Sequence, residues 1–292
     1  PRPDPAGPCG GSAGPQRAAP PPPAAIETQR LADAIAAGRI VPHYQPKLDI
    51  RTGLLRGAEV LARWTDAQLG RVAPDRFIPA AEEQGHIHAL TMSILDQSLA
   101  QAARWNARGL KLSLAVNLSP RLLDDAGLVD QICGIADRHG IAASQIVLEI
   151  TESSVVTYVG EALGVLARLR MRGFGLSIDD YGTGFSSMQQ LARIPFTELK
   201  IDRSFVHGAH RQDNLRVILQ SALDMSRRLG LVTVAEGIET LEDWLLLQQF
   251  GCTVGQGWLI GKPMPADELL PWLKTQQPRL AGLRASTVTG AT

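Results

Sequence analysis

Residues 146–180 read IVLEITESSVVTYVGEALGVLARLRMRGFGLSIDD. A short β-type run, Ile146–Thr151, comes first, and a helical pattern over Ala162–Met171 follows it. Gly173 then supplies a helix stop, and a second β-type run occupies Phe174–Asp179. Strand, helix and strand in this order form the repeating unit of a parallel sheet. Acids mark the ends of both runs: Glu149 with Glu152 just beyond it, and the pair Asp179-Asp180.

The same alternation extends outward in both directions. Further strand candidates are His43–Ile50, Gly57–Trp64, Leu112–Ser119, Glu198–Ile201, Leu231–Glu236 and Cys252–Ile260. Helical patterns at Arg76–Ala107, Asn214–Leu229 and Leu241–Phe250 separate several of them, and Gly109, Gly140, Gly230 and Gly251 stand where such segments stop. Eight strands with intervening helices in about 240 residues predict an α/β fold, a TIM-type (β/α)8 barrel. An open doubly wound sheet is the competing architecture, but it calls for a Gly-rich phosphate turn after an early strand, and the chain has none.

Composition narrows the function. The 292 residues carry 29 Lys+Arg against 29 Asp+Glu, a formal net charge of zero. That balance argues against a nucleic acid polymer as partner and leaves room for a small anionic ligand. No run approaches ~18 apolar residues and no signal peptide opens the chain, so no membrane span is expected in it. The three scattered cysteines, Cys9, Cys133 and Cys252, fit a reducing, cytoplasmic setting and make no zinc spacing. Nine of the 19 prolines fall in the first 25 residues, so residues 1–27 are expected to be a disordered Pro/Ala/Gly-rich linker. A sensory or signalling domain is expected ahead of that linker. Residues 277–292, short of periodic apolar positions, are expected to be a flexible tail. The folded domain is placed at 28–276.

In such a barrel the chemistry sits at the C-terminal strand ends. Those ends carry Glu59, with Arg63 four residues on and on the same face; Asn117-Leu118-Ser119; Glu149; Asp179-Asp180; Lys200; Glu236 with Glu239 beyond; and Gln256. Like charges gathered so closely need a counter-charge, and oxygen ligands of this kind suit hard divalent ions such as Mg²⁺ or Mn²⁺. Adjacent Asp179 and Asp180 suit two ions about 3.5–4 Å apart. Any one of these acids can be read as a helix N-cap or a surface charge. The full set, with Lys200 and Arg63 among it, is not explained that way. The loop Asp179-Asp180-Tyr181-Gly182-Thr183-Gly184-Phe185-Ser186-Ser187 holds two glycines and is a candidate gate. Trp64 and Trp258 border site strands, and one of them is a candidate pocket wall.

These segments resemble the EAL domain, a phosphodiesterase module that hydrolyses cyclic di-GMP. The name-giving motif stands as Glu59-Val60-Leu61 within Glu-Val-Leu-Ala-Arg-Trp. Tyr44-Gln45-Pro46, Phe77-Ile78-Pro79-Ala80-Ala81-Glu82, Asn117-Leu118-Ser119 and Leu148-Glu149-Ile150-Thr151-Glu152 follow in family order. The Asp-Asp-Tyr-Gly-Thr-Gly-Phe-Ser-Ser loop, Leu199-Lys200-Ile201-Asp202, Ala235-Glu236-Gly237-Ile238-Glu239 and Gln256-Gly257-Trp258 complete the set. The departures are small: Val60 stands for the motif's Ala, and His43 stands where an aromatic is frequent.

The resemblance implies a modified barrel whose first strand runs antiparallel to the others. It implies two Mg²⁺ or Mn²⁺ ions, inhibition by Ca²⁺, and conversion of cyclic di-GMP to linear pGpG by in-line attack of water. Glu59, Asn117, Glu149 and Asp179 are the implied ligands of one ion, and Asp179, Asp180 and Glu236 serve the other. Lys200 is implied to position the water, with Glu236 or the metals activating it. Arg63 is implied to bind a substrate phosphate, with Gln45 and Gln256 as further pocket residues. Glu152 is implied to hold the Asp-Asp loop in place, and Glu239 to support the seventh strand. A homodimer is implied as well. A catalytically silent cyclic di-GMP receptor is the alternative function.

Overall fold

The computed structural model describes residues 26–151, 159–182 and 193–285. Helix α1 (Thr28–Ala36) leads into β1 (Ile40–Asp49), which reverses into β2 (Leu55–Asp66). Asp49 drives that reversal: its Oδ1 accepts from the Thr52 backbone N–H and hydroxyl, both at 2.8 Å, and Gly53 takes φ 67°. A short β3 (Gly70–Val72) folds back on β2. Next come α2 (Pro74–Glu83) and α3 (Ile87–Asn106). The single helix expected over Arg76–Ala107 is therefore two, because Gly85 adopts a left-handed φ of 76° between them.

Strand and helix then alternate as β4 (Ser113–Asn117), α4 (Leu128–His139), β5 (Ile146–Thr151), α5 (Val159–Met171) and β6 (Gly175–Tyr181). The last third holds β7 (Glu198–Ile201), α6 (Arg203–Val206), α7 (Asp213–Arg228), β8 (Val232–Ala235), α8 (Leu241–Gln249), β9 (Val254–Gly255) and α9 (Ala266–Ala285). The strand expected over Cys252–Ile260 is thus reduced to two residues. After Gln256 the chain turns against the β8 exit loop so closely that a Cβ at Gly257 would lie 2.2 Å from the Ile238 carbonyl oxygen.

Eight strands close a ring in the order β1, β2, β4, β5, β6, β7, β8, β9, and back to β1. β1 is antiparallel to both its neighbours, and every other pair in the ring is parallel. The barrel and its reversed first strand agree with the expected fold. β3 stays outside the ring, paired only with β2. β2 and β4 pack without room for a side chain at Gly57, where a Cβ would meet the Ser113 carbonyl oxygen at 2.3 Å. The wall is apolar on its helix-facing side: Leu148, Ile150, Leu176, Ile178, Leu199 and Ile201 are buried. No described helix is long and apolar enough to cross a membrane.

Helix α9 runs through the expected boundary at 276/277, with Leu280 and Leu283 buried in the core. Residues 1–25 and 286–292, which hold most of the expected linker and seven of the sixteen residues of the expected tail, lie outside the described residues.

Helix α8 begins with a reciprocal cap. Thr240 Oγ1 accepts from the Asp243 N–H at 3.2 Å, and the Asp243 carboxylate accepts from the Thr240 N–H at 3.3 Å. The buried Asp243 carboxylate also accepts from the Gly208 N–H at 3.1 Å and from His210 Nδ1 at 3.0 Å. Burial opposes its ionisation, but these donors outweigh burial and hold its pKa below the ordinary value. Asp243→Ala is expected to cost about 2–4 kcal/mol, through a lost cap and orphaned buried donors, measured by urea denaturation at pH 7. A depressed carboxylate pKa stabilises the fold above the unfolded-state value and loses that effect as pH falls. The gap between wild type and variant should therefore narrow below about pH 4.

Candidate active site

Strand register brings the site together. Gln45 pairs with Glu59 across β1 and β2, Asn117 with Glu149 across β4 and β5, and Thr151 with Asp179 across β5 and β6. At the centre is the Lys200 ammonium on β7, 1% exposed. Its Nζ lies 2.8 Å from Glu236 Oε1, 2.9 Å from Asp179 Oδ1, 3.2 Å from Glu149 Oε2 and 3.5 Å from Glu59 Oε1. Burial opposes its charge, yet the four carboxylates outweigh burial and raise its pKa well above the lysine value. Lys200 is therefore a fixed cation and not a proton acceptor.

The carboxylates divide by environment. Burial works against ionisation of Glu59, but Lys200, Lys47 and hydrogen bonds from Gln256 and Asn117 more than offset it and hold its pKa down at about 2. Burial prevails at Glu149, which is raised to about 8, and at Glu236, raised to about 7; Lys200 offsets only part of it in each. Burial is the largest cause of both shifts, and the neighbouring carboxylates Glu59 and Asp179 add to it.

Asp180 reaches the same volume by breaking strand geometry. In a regular strand, neighbours point to opposite faces. Here the β6–β7 register slips between Ile178 and Tyr181, and Asp180 takes a left-handed φ of 57°. Its N–H donates to Asp179 Oδ1 at 2.9 Å. Burial and the adjacent Asp179 carboxylate both raise its pKa. Two carboxylate triads result, Glu59 with Glu149 and Asp179, and Asp179 with Asp180 and Glu236; in each, the oxygens lie within 4.8 Å of one another. Asp179 belongs to both.

The amides complete the floor. Gln256 Nε2 donates to Gln45 Oε1 at 2.9 Å and also to Glu59 Oε2. Gln45 Nε2 donates to the Gly261 carbonyl at 3.1 Å, so both ends of the Gln45 amide are engaged within the protein. Asn117 Nδ2 lies 3.5 Å from Glu59 Oε1. Glu59, Asp179, Lys200, Glu236 and Gln256 line a cavity of about 260 Å³ with Trp258 at its rim. Arg63 stands apart from them. It shares a neighbouring cavity of about 500 Å³ with Asn117 and Glu149, which is otherwise largely aliphatic. Glu239 pairs with Arg203 at 2.8 Å on the rim. Glu152 and residues 183–187 of the candidate gate lie outside the described residues.

The sequence reading leaves out two barrel-interior residues. Lys47 Nζ lies 3.0 Å from Glu149 Oε1 and 3.4 Å from Glu198 Oε1. The signal for both was strand alternation, since Lys47 follows Gln45 by two positions and Glu198 precedes Lys200 by two. Trp64, the other candidate pocket wall, is instead buried against Phe77, with ring centroids 5.9 Å apart.

Residues 28–263 match the family model described as EAL domain. The cyclic di-GMP phosphodiesterase PA2567 of Pseudomonas aeruginosa is 38% identical over 231 residues, covering 79% of this chain and 39% of that protein. The cyclic di-GMP phosphodiesterase RocR of the same species is 33% identical over 249 residues, covering 84% of this chain and 64% of that protein. The chain thus spans less than two thirds of either relative. The solved structure described as PaMucR phosphodiesterase, c-di-GMP complex, superposes with a TM-score of 0.78 at 38% identity, over 82% of this chain and 98% of that one.

Proposed function

Because the chain belongs to the EAL domain family, we propose that it hydrolyses cyclic di-GMP, by metal-dependent attack of water on one phosphodiester, to linear pGpG. The observation that carries this reading is the pair of carboxylate triads joined at Asp179 around a buried lysine.

The residues fit two divalent ions. Glu198 balances Lys47. Even so, Glu59, Glu149, Asp179, Asp180, Glu198 and Glu236 share only Lys47 and Lys200, a deficit of positive charge that two divalent ions would cancel. Glu149 Oε2 is buried, and its contact among the described residues is the Lys200 ammonium at 3.2 Å, which leaves it a lone pair for a further ligand. All the donors are oxygens, the preference of Mg²⁺ and Mn²⁺. In this reading Glu59, Asn117, Glu149 and Asp179 hold one ion, and Asp179, Asp180 and Glu236 hold the other. When bound, the ions supply Lewis acidity and lower the pKa of water.

The chain's own groups do the remaining work. Lys200 donates from Nζ to the attacking oxygen and adds fixed positive charge where negative charge develops on phosphorus oxygens. In this reading Glu236, 2.8 Å from that ammonium, accepts the proton the water gives up, or that proton passes to solvent with activation by the ions alone. The new bond is water oxygen to phosphorus. The bond that breaks joins phosphorus to a ribose oxygen, which leaves and is protonated. Arg63, in the adjoining cavity, binds a phosphate. Gln45 aims Gln256, and Gln256 fixes the Glu59 carboxylate. Glu152 steadies the Asp-Asp loop and Glu239 supports β8. The same reading makes this a cytoplasmic bacterial module, dimeric and coupled to a sensory or signalling domain.

Incubation with cyclic di-GMP and Mg²⁺ or Mn²⁺, with pGpG followed by chromatography, tests the proposal. Product is expected that EDTA abolishes, that added Mg²⁺ or Mn²⁺ restores and that Ca²⁺ does not support. Turnover indifferent to EDTA would sink the metal reading. Tight binding with no product under any ion would make the module a receptor.

A further inference from the structure

The carboxylate cluster rests on a second charged layer inside the barrel. Lys47 on β1, 5% exposed, places its Nζ 3.0 Å from Glu149 Oε1 on β5 and 3.4 Å from Glu198 Oε1 on β7. Glu198 precedes Lys200 by two positions on the same strand, so this layer lies directly beneath the Lys200 ammonium. In the ring, β5 and β7 each stand three strands from β1, in opposite directions, so the lysine crosses the barrel interior to reach them. Two small residues give its stem a path. Gly57 is opposite Lys47 in the β1–β2 register, and the buried Ser177 stands between Glu149 and Glu198 in the register of β5, β6 and β7. Burial opposes charge on Lys47, yet Glu149 and Glu198 outweigh it and keep the ammonium protonated.

The consequence falls on Glu149. Its two oxygens are divided between two cations: Oε1 faces Lys47 in the lower layer, and Oε2 lies 3.2 Å from Lys200 in the site. The terminal torsion of a glutamate is broad, so an untethered carboxylate presents either oxygen. One gripped at Oε1 by a charge-assisted hydrogen bond presents Oε2. Partners of this kind, which touch a metal ligand and not the metal, fix the ligand's orientation.

We propose that Lys47 is a positioning residue for one ion of the site, pinning Glu149 Oε1 from beneath so that Oε2 addresses the ion. The inference rests on the two-ion reading and adds a residue of the reversed strand that shapes the site without entering it. Its sign separates it from a plain charge effect. Loss of a nearby positive charge by itself tightens cation binding, whereas loss of the pin weakens it.

Mn²⁺ titration without substrate, followed by electron paramagnetic resonance, tests this alongside urea denaturation. Lys47→Met is expected to weaken one Mn²⁺ site about 10-fold or more, the size of a lost partner to a metal ligand. Lys47→Met/Glu198→Gln removes one charge of each sign from the layer. It is expected to unfold in urea like the wild type and to keep the metal defect, and it decides the matter if the single variant does not fold. Glu149→Gln is expected to weaken the same site. Adding Lys47→Met to it should bring no further weakening, because the ligand through which Lys47 acts is already gone. Mn²⁺ affinity equal to or above the wild type's in the Lys47 variants overturns the proposal. So does an additive loss in Lys47→Met/Glu149→Gln, which would make Lys47 a general prop of the barrel. A wild type that binds no Mn²⁺ overturns the two-ion reading and this proposal with it. A wild type that binds two ions beside unaffected Lys47 variants overturns this proposal alone.

Discussion

Lys200→Met is expected to lower kcat for cyclic di-GMP by on the order of 10³-fold, about 4 kcal/mol of barrier. Methionine keeps the length of the side chain and removes only the ammonium. That ammonium lies within 3.5 Å of four carboxylates, three on strands and Glu236 just past β8, and the other buried lysine, Lys47, pairs with only Glu149 among them. The variant should fold, because carboxylates already raised toward neutrality, Glu149 and Glu236, can take up protons. It should also bind Mn²⁺ at least as well as wild type, since a competing positive charge is gone; electron paramagnetic resonance measures this. Retained metal binding with lost turnover is the signature of a charge that acts on the transition state. A kcat within tenfold of wild type would remove Lys200 from the mechanism.

Glu59→Ala is expected to reduce turnover by on the order of 10²-fold or more, at least about 2.7 kcal/mol, and to weaken metal binding with it. Against its burial, Lys200, Lys47 and two amide donors hold Glu59 down at about 2, so it offers a carboxylate at neutral pH. Its removal also strips Gln256 and Asn117 of their shared acceptor. Metal titration against activity distinguishes the two variants. Excess Mn²⁺ should recover part of the Glu59→Ala loss and none of the Lys200→Met loss. If Glu59→Ala kept more than a tenth of the wild-type rate with unchanged metal dependence, the ligand assignment would be wrong.

The sequence exposed the barrel because strand and helix periods differ and glycine stops mark their junctions. It exposed the acids because they stand at the C-terminal ends of successive strand runs, where such a barrel gathers them; the same-face rule that groups Glu59 with Arg63 did not foresee that Arg63 enters the adjoining cavity. Chain direction leaves no trace in that period. The reversal of β1 came from family resemblance and not from alternation. Asp180 is the converse case: alternation sends it away from Asp179, and the slip in register with a left-handed φ returns it. Aspartate tolerates that conformation better than most residues, but the residue type alone does not announce it. Alternation from Gln45 does place Lys47 on the barrel side, but one lysine near a strand's end reads equally well as a surface charge. The break at Gly85 was masked because the apolar pattern continues on both sides of it.

Ring closure has a consequence for the order in which the protein is made. Gln45 and Gln256 meet across 211 positions, and β1 pairs with β9 only once nearly the whole domain exists. A nascent chain emerging from the ribosome therefore holds Glu59, Glu149 and Asp179 on strands that have no closed wall to aim them. The catalytic apparatus is all-or-none in time. Contacts of such long range also make folding slow relative to a helical bundle of equal size. A chain stopped after Phe250 lacks the strand that seals the barrel and the amide that fixes Glu59, so truncation there should abolish the site at a stroke instead of weakening it by degrees.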